Sequence, residues 1–142
     1  MIQDLIKNKK SLILRLGMSK DKLFKGLRTT VYKVPNLSEA KDWYSKAFKT
    51  EPYFDEPFYV GFNIMGYELG LLPVEESNQK RGDNTLAYWG VENIQDVFDH
   101  LLNLGAEVHE EPMNVGGELM TASVIDPWEN VIGIIFNPYF KL

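Results

Sequence analysis

Two kinds of hydrophobic spacing alternate along this chain, and the order in which they alternate occurs twice. Leu27 to Val34 is rich in β-branched residues and reads as a strand. Leu37, Ala40, Trp43, Tyr44 and Phe48 then recur at helical spacing, with Asn36 as N-cap and Glu39 at the third position of a capping box. Shorter segments follow: a strand over Glu51 to Asp55, a turn at Asp55-Glu56-Pro57 and a strand over Phe58 to Ile64. Met65-Gly66 is a tight turn, and Tyr67 to Leu72 returns as its hairpin partner.

The second half repeats this order. Thr85 to Val91 reads as a strand. Asn93 caps a helix running to about Leu104, with Asp96 three residues on, and Gly105 stops it. Ala106 to Glu110 is a short strand, Val115-Gly116-Gly117 a turn, and Leu119 to Ile125 a strand. Asp126-Pro127-Trp128-Glu129-Asn130 is a turn before the last strand, Val131 to Phe136. Val34, Asn36 and Leu37 match Val91, Asn93 and Ile94 at an offset of 57, and Leu69-Gly70-Leu71-Leu72 matches Ile132-Gly133-Ile134-Ile135 at an offset of 63. Two copies are too few for a solenoid. The pattern predicts one pseudo-symmetric α+β domain of two tandem βαβββ modules with a shared cleft: module one over 27–73, a linker over 74–84 carrying Lys80-Arg81-Gly82-Asp83 as a turn, and module two over 85–138.

A chain of 142 residues suffices for one domain with a real core. It has no cysteine, which excludes a disulfide framework, a thiolate nucleophile and a cysteine-based zinc site, and is compatible with a reducing, cytoplasmic setting. No apolar run approaches the roughly 18 residues of a membrane span. Residues 1–26 hold seven Lys/Arg and two Asp/Glu, while residues 27–142 hold eight and eighteen. The acidic body disfavours nucleic acid, whose phosphates it repels, and suits a neutral or cationic small ligand.

The basic head, 1–26, places Lys7, Lys9 and Lys10 before Ser-Leu-Ile-Leu, in the manner of a secretory signal. Arg15 interrupts the apolar run and no small-residue cleavage site follows, so that reading is set aside. Three others stand: a basic amphipathic helix touching a membrane, a loosely held extension, or a natural start at Met18.

Several motifs resemble the vicinal oxygen chelate superfamily of glyoxalases, bleomycin-resistance proteins and extradiol dioxygenases. They are Val34-Pro35-Asn36-Leu37 with Trp43-Tyr44, Gly105-Ala106-Glu107-Val108, and Asp126-Pro127-Trp128-Glu129-Asn130-Val131-Ile132-Gly133. The resemblance covers about residues 27–138. It implies a curved mixed sheet around a cup-shaped cleft, with a divalent metal in the cup held from the first and last strands of both modules. Carried over by position, those ligand sites fall on Thr29, Leu86 and Gly133 and, through the internal repeat, on Gly70. Leu and Gly offer no donor and one Thr hydroxyl is a poor one. The only histidines, His100 and His109, fall elsewhere and read as surface or helix-packing residues. The expectation is therefore no metal and no other cofactor.

If those four positions face the cup, strand alternation brings Val31, Lys33, Glu68, Leu72, Tyr88, Gly90, Val131 and Ile135 with them. Two readings of Gly70 and Gly133 stand: a roomier floor for a ligand, or backbone crowding. Glu68 is the one acid placed inside. An apolar surround would raise its pKa and fit it for acid–base work, with Tyr88 as partner; alternatively it pairs with a cationic ligand or with Lys33. The function expected first is metal-free binding of a small molecule, with Thr29, Lys33, Gly70, Leu86 and Gly133 lining the site. The alternative is a lyase or isomerase of the glyoxalase type, acting through Glu68 and Tyr88. A third is a structural or regulatory domain. Strand edges that need covering favour a homodimer.

Overall fold

The computed structural model describes residues 1–5, 23, 27–74 and 85–140. Most of the basic head, Met18 included, and the Lys80–Asp83 segment lie outside the described residues.

Module one runs β1 (Thr29–Val34), α1 (Leu37–Phe48), β2 (Phe54–Glu56), β3 (Tyr59–Ile64) and β4 (Tyr67–Pro73). Module two runs β5 (Tyr88–Gly90), α2 (Ile94–Asn103), β6 (Glu107–Gly116), β7 (Leu119–Ile125) and β8 (Val131–Phe136). Both helices start as the sequence implies: the Asn36 and Asn93 side chains each accept a bond, at 3.0 Å, from the backbone N–H three residues on. Gly105, at φ +94°, follows the second helix in a conformation that favours glycine.

Each module forms its own four-stranded mixed sheet, in the orders β1-β4-β3-β2 and β5-β8-β7-β6, with β1 parallel to β4 and β5 parallel to β8. Val31 pairs with Gly70, as Tyr88 pairs with Gly133, so the register reproduces the two sequence offsets. Gly61 faces Gly70 as Ser123 faces Gly133. The six residues gained by the second copy therefore divide unequally. Five enter before β7, where β6 has ten residues and three register shifts, and one enters the β7–β8 turn.

Some boundaries move. β5 is three residues long, shorter than the predicted Thr85–Val91, and β6 runs well beyond the predicted Glu110. β2 begins three residues later than expected, and the predicted Asp55-Glu56-Pro57 turn shifts because Asp55 and Glu56 pair with Val60 and Tyr59.

One core holds the modules together. Tyr32, Val34, Val60, Phe62, Leu69 and Leu71 from the first sheet join Ala122, Val124, Ile132 and Ile134 from the second, beneath Ala40, Tyr44, Phe98 and Leu101 of the helices. Strand alternation turns the other face of each sheet away from this core.

Candidate functional site

The open face of the first sheet carries a hydroxyl–carboxylate network. Glu68, on β4, stands opposite Thr29 on β1. Its Oε1 accepts from Thr29 Oγ1 at 3.0 Å and from Tyr59 Oη at 2.8 Å, and its Oε2 accepts from Tyr53 Oη. A carboxylate has about four lone-pair positions, so among the described residues roughly one remains, on Oε2. Gly61 and Gly70 make the arrangement possible. A Cβ on Gly70 would lie 2.2 Å from the Tyr59 hydroxyl, and one on Gly61 would lie 3.1 Å from both Glu68 Oε2 and the Tyr53 ring. The glycines let Tyr59 and Tyr53 lie flat across the strands and reach Glu68.

This network corrects the expected chemistry of Glu68. Its pKa is lowered from the ordinary 4.5, first by the Tyr53 hydrogen bond and then by those from Tyr59 and Thr29, against an opposing effect of burial. The surroundings are rich in donors, and an apolar pocket that would raise the pKa is not what the fold builds. The same bonds hold the proton on the phenols: Tyr59 is raised, mainly by burial and then by Glu68, and Tyr53 is raised by Glu68. Glu68 pairs with hydroxyls; the alternative partner, Lys33, lies exposed further along β1, opposite Leu72.

The open face of the second sheet differs. A Cβ on Gly133 would lie 2.6 Å from the Ala87 carbonyl oxygen, 2.9 Å from the Tyr88 ring and 3.2 Å from Leu86. Backbone crowding is thus the reason for this glycine. The roomier floor is overturned at both positions, because Tyr59 fills the space over Gly70 and β5 fills that over Gly133. Tyr88 stays 43% exposed. Across the same rung, fully buried Ser123 lies 2.8 Å from His109 Nδ1, at a register shift in β6. His100 packs between the helices, with Nε2 3.0 Å from the Ala47 carbonyl.

The predicted site residues therefore form two groups. Thr29, Glu68 and Gly70, with Lys33 beyond them, share the first open face; Leu86, Tyr88 and Gly133 share the second. Apart from the Lys33 backbone carbonyl, the bonds described between the modules involve other residues. Trp43 Nε1 donates to Leu104 O at 2.7 Å and Trp89 Nε1 to Tyr32 Oη at 3.1 Å. Burial pushes the Tyr32 phenol up to about 12. Tyr44 Oη donates at 2.6 Å to buried Asp126, which also accepts from the Trp128 and Asn130 backbones. The Tyr44 pKa is raised well above its ordinary value by burial, then by the Asp126 charge and hydrogen bond. The Trp128 ring meets those of Trp43 and Tyr44, and Asn130 Nδ2 donates to Lys33 O at 3.0 Å. The Asp126–Asn130 motif thus clamps module two onto the first helix.

The metal positions suggested by the repeat do not suit a metal. Thr29 Oγ1 already donates to Glu68, Leu86 offers no donor, and the spaces over both glycines are filled. Among the described residues no three His, Asp or Glu side chains gather as a metal-binding group. None of the helices described is long and apolar enough to cross a membrane.

Sequence and structure comparisons place the chain in a family. Residues 26–134 match the Glyoxalase/Bleomycin resistance protein/Dioxygenase superfamily, and the chain belongs to it. Its fold is similar to that of a glyoxalase-related enzyme from Fulvimarina pelagi, at TM-score 0.69 and 16% identity, covering 84% of this chain and 93% of that one. It is similar also to the fosfomycin resistance protein FosX of Listeria monocytogenes, at TM-score 0.68 and 18% identity, covering 82% and 97%. A third is a glyoxalase/bleomycin resistance protein/dioxygenase family enzyme from Burkholderia phytofirmans PsJN, at TM-score 0.66 and 14% identity, covering 76% and 95%. At these identities the likeness concerns the fold. No curated protein sequence matches the chain.

Proposed function

We propose that this protein binds a small organic molecule on the open faces of its sheets without a metal, and that a second copy covers those faces in a homodimer. The observation that carries the reading is the Tyr53–Tyr59–Thr29–Glu68 network, which engages Thr29 and covers Gly70, two of the four positions where a chelating set would be expected. Thr29, Lys33, Leu86 and Tyr88 would surround the ligand, while Gly70 and Gly133 act through the packing they permit. The lyase or isomerase reading asks Glu68 to carry a proton near neutral pH. Its lowered pKa and the three hydroxyls bonded to it make it a weak base and a poor acid there, which favours binding over turnover.

The test is metal content after purification, isomerisation of hemithioacetals with added Ni, Zn, Mn or Fe, and a compound screen read by thermal stabilisation. Ligands that bind the folded state raise Tm without metal. Stoichiometric metal with metal-dependent turnover would overturn the reading. Native mass spectrometry reads the dimer directly.

A further inference from the structure

Beside the free side of Glu68 lies a niche of about 180 Å³, lined by Tyr53, Asn63, Gly66, Tyr67 and Glu68. It holds one carboxylate kept ionised by hydroxyl donors, with its remaining acceptor position on Oε2. Tyr53 forms one wall and is 63% exposed, so its ring remains open to a visitor although its hydroxyl is engaged. Tyr67 forms another wall. Asn63 is fixed by accepting from Gly66 N at 2.7 Å, which holds the hairpin end of the niche in shape.

We propose that this niche is a receptor site for a small organic ammonium ion, with Glu68 as its counter-charge and the Tyr53 and Tyr67 rings as its walls. The inference rests on the small-molecule reading above and names the ligand class. Aromatic faces attract a weakly hydrated cation through the ring quadrupole, and pairing such rings with one carboxylate is a general solution for ammonium groups. An anion is disfavoured by Glu68. A hard metal ion requires six or more oxygen ligands and a transition metal prefers nitrogen or sulfur, whereas the niche offers one free carboxylate position. The volume corresponds to about six water molecules at roughly 30 Å³ each, enough for an ammonium head bearing a few carbons.

The test titrates the full chain with choline and n-butylammonium, and with 3,3-dimethylbutan-1-ol, the neutral carbon counterpart of choline, following Tm and heat. The expected result is binding of at least one cation with no comparable effect of the alcohol. Glu68→Gln should weaken cation binding about tenfold or more and erase the preference for charge, and Tyr67→Leu should weaken it several-fold. Tyr53→Phe keeps the ring and should bind within a few-fold of the parent. Circular dichroism establishes that each variant is folded; if Glu68→Gln is not, the cation–alcohol comparison on the parent chain decides. Equal response to the alcohol, unchanged binding in folded Glu68→Gln, or no response to either cation would overturn the proposal. Neutral or anionic compounds that stabilise the protein while cations do not would sink this inference and leave small-molecule binding standing. Silence across the whole panel would sink both.

Discussion

Gly70 and Gly133 occupy equivalent places in the two modules, each in the last strand and paired with the first, yet they are needed for different reasons. Over Gly133 the obstacle is backbone, the Ala87 carbonyl at 2.6 Å from a would-be Cβ; over Gly70 it is the far end of one side chain, Tyr59. The repeat preserves a glycine while the neighbour that demands it has changed. Pseudo-symmetry holds firmly in register and core and loosens on the open faces. Module one turns its face into a hydroxyl–carboxylate network, while module two closes the space over Gly133 with the Ala87 carbonyl, the Tyr88 ring and Leu86.

The largest test of that division compares the two last hairpins. In module two the turn carries Asp126, 3% exposed and holding Tyr44 and two backbone N–H groups. In module one the turn relies on exposed Asn63, which accepts only from Gly66 N among the bonds described. Asp126→Ala strands several buried donors and should cost about 3 kcal/mol, whereas Asn63→Ala should cost about 0.5–1 kcal/mol. Urea denaturation of both variants measures the gap. Equal losses would mean that the modules are not clamped through this turn.

The glycines come next. Gly133→Ala forces β5 and β8 apart and should destabilise by about 2 kcal/mol, in the range of overpacking. Gly70→Ala displaces one tyrosine ring and should cost about 1 kcal/mol, near the worth of the hydrogen bond lost. The sharper signature of Gly70→Ala is the Glu68 pKa, which should return towards 4.5 as Tyr59 leaves, measurable by NMR titration of the side-chain carboxyl. A Gly70→Ala chain as unstable as Gly133→Ala, with the Glu68 titration unmoved, would erase the distinction.

Much of this fold is legible because its signals are local. The asparagine caps, the helical stripes and the paired glycine strands are read within a few residues, and their offsets fix the sheet register without any long-range contact. The site is less legible because its decisive partners are distant in sequence. Tyr59 lies nine residues from Glu68 and Tyr53 fifteen, and both are drawn in by glycines whose purpose the sequence leaves open between room and crowding. Strand alternation put Glu68 on the correct face, but alternation says nothing about which donors reach it, so the direction of its pKa shift came out reversed. Asp126 is the other gap. Its position in a Pro-containing turn signals local capping, and only the packing of the first helix against that turn shows that its carboxylate also holds Tyr44.

The smallest expected effect, and the one that isolates module one's open face, is the pH dependence of stability. Glu68 has a folded-state pKa below its ordinary 4.5, so its contribution is fully present above that value and is lost as pH falls through the lowered folded pKa. Tyr59 and Tyr53 have raised pKa values, so their contribution is present below the ordinary 10.0 and is lost as pH rises beyond it. The network is thus intact between about pH 4.5 and pH 10 and loosens on both sides. Because Tyr53 is exposed and Glu68 only partly buried, water screens the interaction and the change is modest. Comparing denaturation curves of the parent chain and Glu68→Gln at pH 6 and pH 3 isolates the acid limb. The difference between the two proteins should be larger at pH 6 and shrink at pH 3, where the glutamate of the unfolded chain, at its ordinary 4.5, is already protonated. A difference that stays constant or grows on acidification would mean that the three hydroxyls do not hold Glu68 ionised, and the contrast between the two open faces would lose its electrostatic basis.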